Sequence, residues 1–218
     1  VAINMLALAL TVFLVKMIYQ KGQTDMIKAS INRFEVPILA DIPFFGPLLF
    51  QNVYSVSILA FAVAIGAWFV IYKMPFGLRL RAVGEHPMAA DTMGINVAKI
   101  RYIAVMLSGA FAGIGGAVLA QTTSADFSAS TVSGQGFIAI AAMIFGKWHP
   151  LGTLGAALFF GFAQTLSLGG NTIPYIQDIP QVFLQILPYV LTILALAGFI
   201  GKAVAPKASG IPYVKGKR

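Results

Sequence analysis

FGLRLRAVGEHPMAADTMGIN, residues 76–96, is a polar island in an apolar chain, and reading it decides the fold. Arg79, Arg81, Glu85, His86 and Asp91 fall within it, punctuated by Gly and Pro. The flanking stretches 53–72 and 103–121 are apolar for about 20 residues each, the length that crosses a bilayer at about 1.5 Å per residue. The island therefore reads as the connection between two membrane spans.

The composition agrees. Of 218 residues, 58% are hydrophobic and 10% charged, against about 25% charged in an ordinary soluble domain. The expected fold is all-α, a polytopic transmembrane helical bundle forming one domain over 1–218. Apolar stretches at 1–19, 53–72, 103–121, 151–168 and 182–200 supply five spans, and the shorter 136–146 a sixth. This sixth stretch either extends back through Thr131, Val132 and Ser133 or is a half-helix behind irregular backbone. Irregular backbone at membrane depth is tolerated only where protein or a wet cavity surrounds it. The chain opens at Val1 directly into an apolar run, which reads as truncation inside or just before a span.

The net charge is +8, but the basic residues sit in loops and a tail beside apolar spans. That is a topology signal, and no nucleic-acid partner is expected. With the island inside the cell, eleven Lys and Arg lie inside and four outside. This orientation makes 20–52 an outer loop, broken by Pro37, Pro43 and Pro47, and 202–218 a cytoplasmic basic tail. Cysteine is absent, so thiol-held metals and clusters are excluded. His149, between Trp148 and Pro150, reads as an interfacial residue, and neither a metal site nor a cofactor is expected.

The spans carry almost no charge; Asn4, Ser57, Ser108, Thr153, Gln164 and Thr192 are their visible polar groups. Ion-coupled carriers use buried ionisable groups within the bilayer. No catalytic dyad, nucleophile elbow or phosphate loop is present, so the chain is not expected to be an enzyme. Energy for uphill transport would come from another protein. The island reads either as a docking surface for it or as a solvated connecting helix that only satisfies topology. Pro87 can open a helix of about two turns, Glu85 sits near its positive end, and Gly94 can stop it. Ala89 and Ala90 lack bulk, which would let a partner approach the backbone. In the third span, Gly109 and Gly113 form a GxxxG pattern flanked by Ser108, Ala112 and Ala117, and Ala157 and Gly161 repeat it further on. Such small residues permit close helix packing and place these helices centrally in a bundle.

Five stretches in this order resemble one family over essentially the whole length: AINMLALALT, GLRLRAVGEHPMAADTMGIN, SGAFAGIGGAVLA, AIAAMIFGKWHPLGTLGAALFFGFAQ and GIPYVKGKR. The chain resembles a permease subunit of a bacterial ABC importer for nucleosides or simple sugars, served by a basic-membrane-protein type lipoprotein receptor, in the branched-chain amino acid/ribose permease superfamily. The resemblance implies an ABC ATPase subunit below, a second permease subunit beside it and a lipoprotein substrate-binding receptor above, in the cell membrane. It also implies that the island, 76–97, holds the coupling helix that docks into the ATPase. That points to Gly84, Glu85, Pro87, Ala89, Ala90, Asp91 and Gly94, with His86 standing where Asn is expected. For the solute path the expectation is Asn4, Ser133, Gln135, Phe137 and Gln164, with Phe127 as a further stacking surface and Asp126 and Asp178 as receptor contacts. The favoured solute is a nucleoside. A simple sugar on the same architecture is the alternative, and an ion-coupled carrier is less favoured.

Overall fold

The computed structural model describes residues 2–27, 31, 33–34, 53–128, 130–131, 134–169, 182–183, 186, 190, 193 and 204–215. Most of 20–52, most of the expected last span 182–200, Ser133 and Asp178 lie outside them. The architecture is helical: α1 Ala2–Tyr19, α2 Ser55–Lys73, α3 Pro75–Glu85, α4 Pro87–Thr92, α5 Val97–Leu119, α6 Gln135–Phe145 and α7 Pro150–Gly169. Among the described residues the strands are β1 Arg33–Phe34 and β2 Val53–Tyr54, two residues each, which pair antiparallel, Arg33 with Tyr54 and Phe34 with Val53.

Among the described residues, three helical stretches are long and apolar enough to cross a membrane: Ala2–Tyr19, Ser55–Lys73 and Val97–Thr122. The last runs into a π-helical turn, Ala120–Ser124, that extends α5. Helix α7, at 20 residues, follows the expected fifth span. The short sixth stretch is a half-length helix: α6 has 11 residues, and Gly134 at φ +81° precedes it, so it does not run back through Thr131.

Proline sets the helix starts. A residue before Pro is pushed out of the α region, and Met74, at φ −100° and ψ 151°, ends α2 so that Pro75 can open α3. His86, at φ −140° and ψ 82°, separates α3 from α4 in the same way, and Pro87 opens α4. The island is thus two helices at a Pro-set corner, where the sequence suggested one.

The chain forms two compact units, with boundaries inside α2, α5 and the first turn of α6: Val1–Ala62 with Ile103–Gln135, and Val63–Tyr102 with Gly136–Arg218. In the first, the segment after α1 joins the segment after α5. Thr24 N–H donates to the Phe127 carbonyl at 2.9 Å, and Ile27 N–H to the Ala125 carbonyl at 2.7 Å. Phe127 N–H donates to the Thr24 hydroxyl at 2.9 Å, and Gln23 bridges antiparallel to Ser128.

In the second unit, a buried cluster among the described residues joins the island to the start of α5. Val83, Ala90, Val97 and Ile100 make up the cluster, with Phe76, Leu80, Ala82, Ile95 and Tyr213 packed on it. The long helices instead leave Ile3, Leu6, Phe13, Ile58 and Val105 exposed, as expected where lipid or another subunit is the solvent.

The expected close approach at Gly109 and Gly113 is not found among the described residues. A Cβ built on either meets open space, as it does at Gly161. Close backbone contact occurs at Gly77, against Val70 and Ile71, and between Gly146 and the Gly152–Thr153 backbone. Small-residue spacing marks a surface that can pack closely, but these tight positions are set by sharp reversals between consecutive helices.

Candidate functional site

Helix α4 is held at both ends by local chemistry. Pro87 occupies its first turn, and Ala90 N–H donates to the His86 carbonyl at 3.1 Å. At the other end, Ile95 N–H donates to Ala90 at 3.0 Å and Gly94 N–H to Asp91 at 2.9 Å. With Gly94 at φ +81°, this is a Schellman stop. Asn96 then caps α5, its side-chain oxygen accepting from Lys99 N–H at 3.0 Å. Within about ten residues the chain ends one helix, turns and begins another.

This geometry sorts the residues singled out in the sequence. Ala90 is 4% exposed and belongs to the buried cluster, so no partner approaches its backbone directly. Ala89 is exposed, as are Thr92 and Gly94. Met88 and Met93 flank them at 47% and 82% exposure. Positions 88 and 92, and 89 and 93, are one helical turn apart and form one outward stripe. Sequence reasoning missed the two methionines. An apolar, unbranched residue on a polar island is the signal that could have found them, because methionine adapts to a partner surface.

Gly84, Glu85 and Asp91 face the chain's own C-terminal segment. Ala208 N–H donates to the Gly84 carbonyl at 3.0 Å, and the Lys207 ammonium lies 3.2 Å from the Glu85 carboxylate. The hydrogen bond from Lys207 holds the Glu85 carboxyl below its usual pKa. Glu85 is therefore the last residue of α3, paired with Lys207, and no side-chain cap is made to α4. The Tyr213 hydroxyl faces Asp91, and burial, then hydrogen bonding and the charge of Asp91, raise its pKa above the ordinary phenol value.

The island is also joined to the α6–α7 reversal. The Arg81 guanidinium stacks 4.7 Å from the centre of the Tyr72 ring, and His149 lies 4.8 Å from the same ring. Such cation–aromatic contact is favourable by about 0.5–1 kcal/mol at exposed sites. His149 is thus a packing partner of Tyr72 in the turn between α6 and α7.

The expected solute-path residues lie on separate helices. Asn4 is exposed on α1, Phe137 is 79% exposed on α6, and Gln135 and Gln164 are half-buried on α6 and α7. Phe127 and Asp126 are half-buried in the segment that pairs with Thr24. Among the described residues no three His, Asp or Glu side chains converge in a metal-holding group.

Comparison with known proteins adds the following. The profile described as branched-chain amino acid transport system / permease component matches residues 1–196. A guanosine ABC transporter permease protein of Bacillus subtilis, NupQ, is 62% identical over 218 residues, all of this chain and 68% of the relative. A nucleoside ABC transporter permease protein of Lactococcus lactis, NupC, is 51% identical over 215 residues, 99% of this chain and 68% of the relative. A putative glucose ABC transporter permease protein of Haloferax volcanii is 36% identical over 140 residues, 64% of this chain and 42% of the relative. No solved structure gives a significant match.

Proposed function

We propose a function from one premise: the chain belongs to the branched-chain amino acid transport system / permease component family. It is a membrane-spanning permease subunit of an ABC importer for nucleosides, in the bacterial cell membrane. The observation that carries this reading is the 62% identity, over the whole chain, to a guanosine permease. The near absence of charge in the spans supports it, because a neutral polar solute needs no charged relay.

ATP is hydrolysed in a separate ATPase subunit, and a second permease and a lipoprotein receptor complete the importer. The island faces the cytoplasm, where α4 is the coupling helix and its outward stripe, Met88, Ala89, Thr92 and Met93, meets the ATPase. Pro87 and Gly94 fix the ends of that helix, and Ala90 anchors it from beneath. Closure of the ATPase dimer displaces α4, and the spans open toward one side of the membrane or the other. Asn4, Gln135, Phe137 and Gln164 are the proposed contacts along the solute path, together with Ser133.

Uptake of labelled guanosine by vesicles holding the whole transporter tests the class. Uptake is expected to require internal ATP and to persist when ion gradients are collapsed. Gradient-driven uptake without ATP would make the protein a secondary carrier. The sugar alternative draws on the likeness to the putative glucose permease; excess unlabelled glucose would then suppress labelled uptake, whereas excess adenosine or guanosine is expected to do so.

The docking stripe has its own test. Met88→Glu with Met93→Glu places two charges on exposed positions, so folding is little disturbed. Co-purification of the ATPase is expected to fall at least about tenfold, since an interface hot spot contributes about 2 kcal/mol or more. Undiminished co-purification would remove the stripe from the interface.

A further inference from the structure

The segment 204–214 has no part in the reading above, yet it touches every element of the island. Near its start, Ala208 bonds the Gly84 carbonyl at 3.0 Å, Lys207 pairs with Glu85 at 3.2 Å, and Pro206 Cβ lies 3.6 Å from where a Gly84 Cβ would stand. These contacts hold the end of α3. Two turns, Ser209 N–H to Pro206 at 3.0 Å and Ile211 N–H to Ala208 at 3.3 Å, then reverse the segment. Arg101 of α5 donates to the Ile211 carbonyl at 2.8 Å, and its guanidinium lies 6.0 Å from the centre of the Tyr213 ring. That ring packs on the Val83, Ala90, Val97 and Ile100 cluster, and its hydroxyl faces Asp91 of α4.

The mechanical consequence follows from the size of α4. Six residues make too short a helix to hold shape in isolation. The chain leaves it through Met93 to Asn96, with Gly94 in a left-handed conformation. Few-residue connections of this kind absorb rotation as hinges. A load on α4 carried by that connection alone would bend it and leave α5 behind. Ala90 packs with Val97 and Ile100 across that connection, and Tyr213 and Arg101 add to this path from α4 to α5 that bypasses Gly94.

We propose that the C-terminal segment is a strut joining α4 to α5, with Tyr213 and Arg101 as positioning residues for transport. The strut stays closed through the cycle, so the end of α3, α4 and the first turns of α5 move as one body. This rests on α4 being the coupling helix.

The test uses the whole transporter, with ATPase, partner permease and receptor, in proteoliposomes, reading guanosine taken up per ATP hydrolysed. Tyr213→Ala and Arg101→Gln are expected to retain the ATPase and its hydrolysis while uptake per ATP falls at least about five-fold, the low end of ordinary coupling between sites. Tyr213→Phe keeps the ring on the cluster and is expected to retain most of the ratio. An unchanged ratio in both variants, or a fall matched by loss of assembled complex, overturns the strut.

Because the chain has no cysteine, a Glu85→Cys, Lys207→Cys pair can be cross-linked selectively with a short bis-maleimide. Cross-linked transporter is expected to keep the uptake that the same double variant shows before cross-linking. Loss of uptake on cross-linking means the segment must release and overturns the proposal, even where Tyr213→Ala fails to assemble. If the Met88 and Met93 double variant still holds the ATPase, the coupling reading itself fails. If that variant releases the ATPase while Tyr213→Ala and Arg101→Gln leave uptake per ATP intact, the strut alone fails.

Discussion

Ala90→Glu is expected to unseat α4 and cost the island about 3–5 kcal/mol, the penalty of a buried charge left without a partner. Ala90 is 4% exposed, and the residues around it, Val83, Val97 and Ile100, offer the carboxylate nothing to bond. Ala89→Glu is the matched control, one residue away on the same helix but exposed. Tryptic cleavage at Arg79, Arg81 and Lys99 in the purified complex reads the difference. Cleavage is expected to accelerate at least about tenfold in Ala90→Glu, a 1.4 kcal/mol change in local opening being enough for that factor, and to stay near the unmutated rate in Ala89→Glu. Both variants should weaken ATPase association, but only Ala90→Glu by loosening the helix. Equal cleavage in the two would mean that Ala90 does not face inward.

The second large effect is Gly146→Val. The turn between α6 and α7 is wound tightly: Gly146 N–H bonds Ala142 at 2.8 Å, Lys147 N–H bonds Ile144 at 3.0 Å, and Thr153 N–H bonds His149 at 2.8 Å. Lys147 and Trp148 both sit at positive φ, 55° and 58°, a conformation uncommon outside glycine. A side chain on Gly146 would strike the backbone of Gly152 and Thr153, which cannot move aside as a flexible side chain can. The expected destabilisation is about 3 kcal/mol, the upper end of ordinary overpacking. It should appear as a fall of about 6–12 °C in the unfolding temperature of the solubilised complex. Gly113→Ala is the contrast, because space is open there. Its unfolding temperature should hold or rise slightly, the unfolded chain losing freedom worth about 0.4–1 kcal/mol. A fall at Gly113 matching that at Gly146 would mean that another subunit packs against α5.

These contrasts mark what was legible in the residues. Hydropathy and charge placed the membrane helices and the island between them, because the cost of burying polar groups in lipid acts on each segment separately. Pro75, Pro87 and Gly94 marked where helices start and stop, because their constraints reach only a residue or two. Asn96 was open to the same reasoning as a helix cap and was overlooked. The island's helical first half was missed because its Gly77 and Gly84 read as loop punctuation. Gly77 instead serves a close contact with the end of α2, and Gly84 lies at ordinary contact distance from Pro206.

The sequence by itself determined the class of the protein, the position of the polar island and the ends of the helix within it. Those outcomes depend on local transfer energies and backbone geometry. Only the tertiary structure decided which side of α4 faces outward, that Ala90 is core while Met88 and Met93 are surface, and that residues 206–213 lie on the island. Those features depend on contacts between residues far apart in the chain, Gly84 with Ala208, Glu85 with Lys207 and Arg101 with Ile211. No window of neighbouring residues contains both partners of such a contact, so periodicity and propensity carry no information about it.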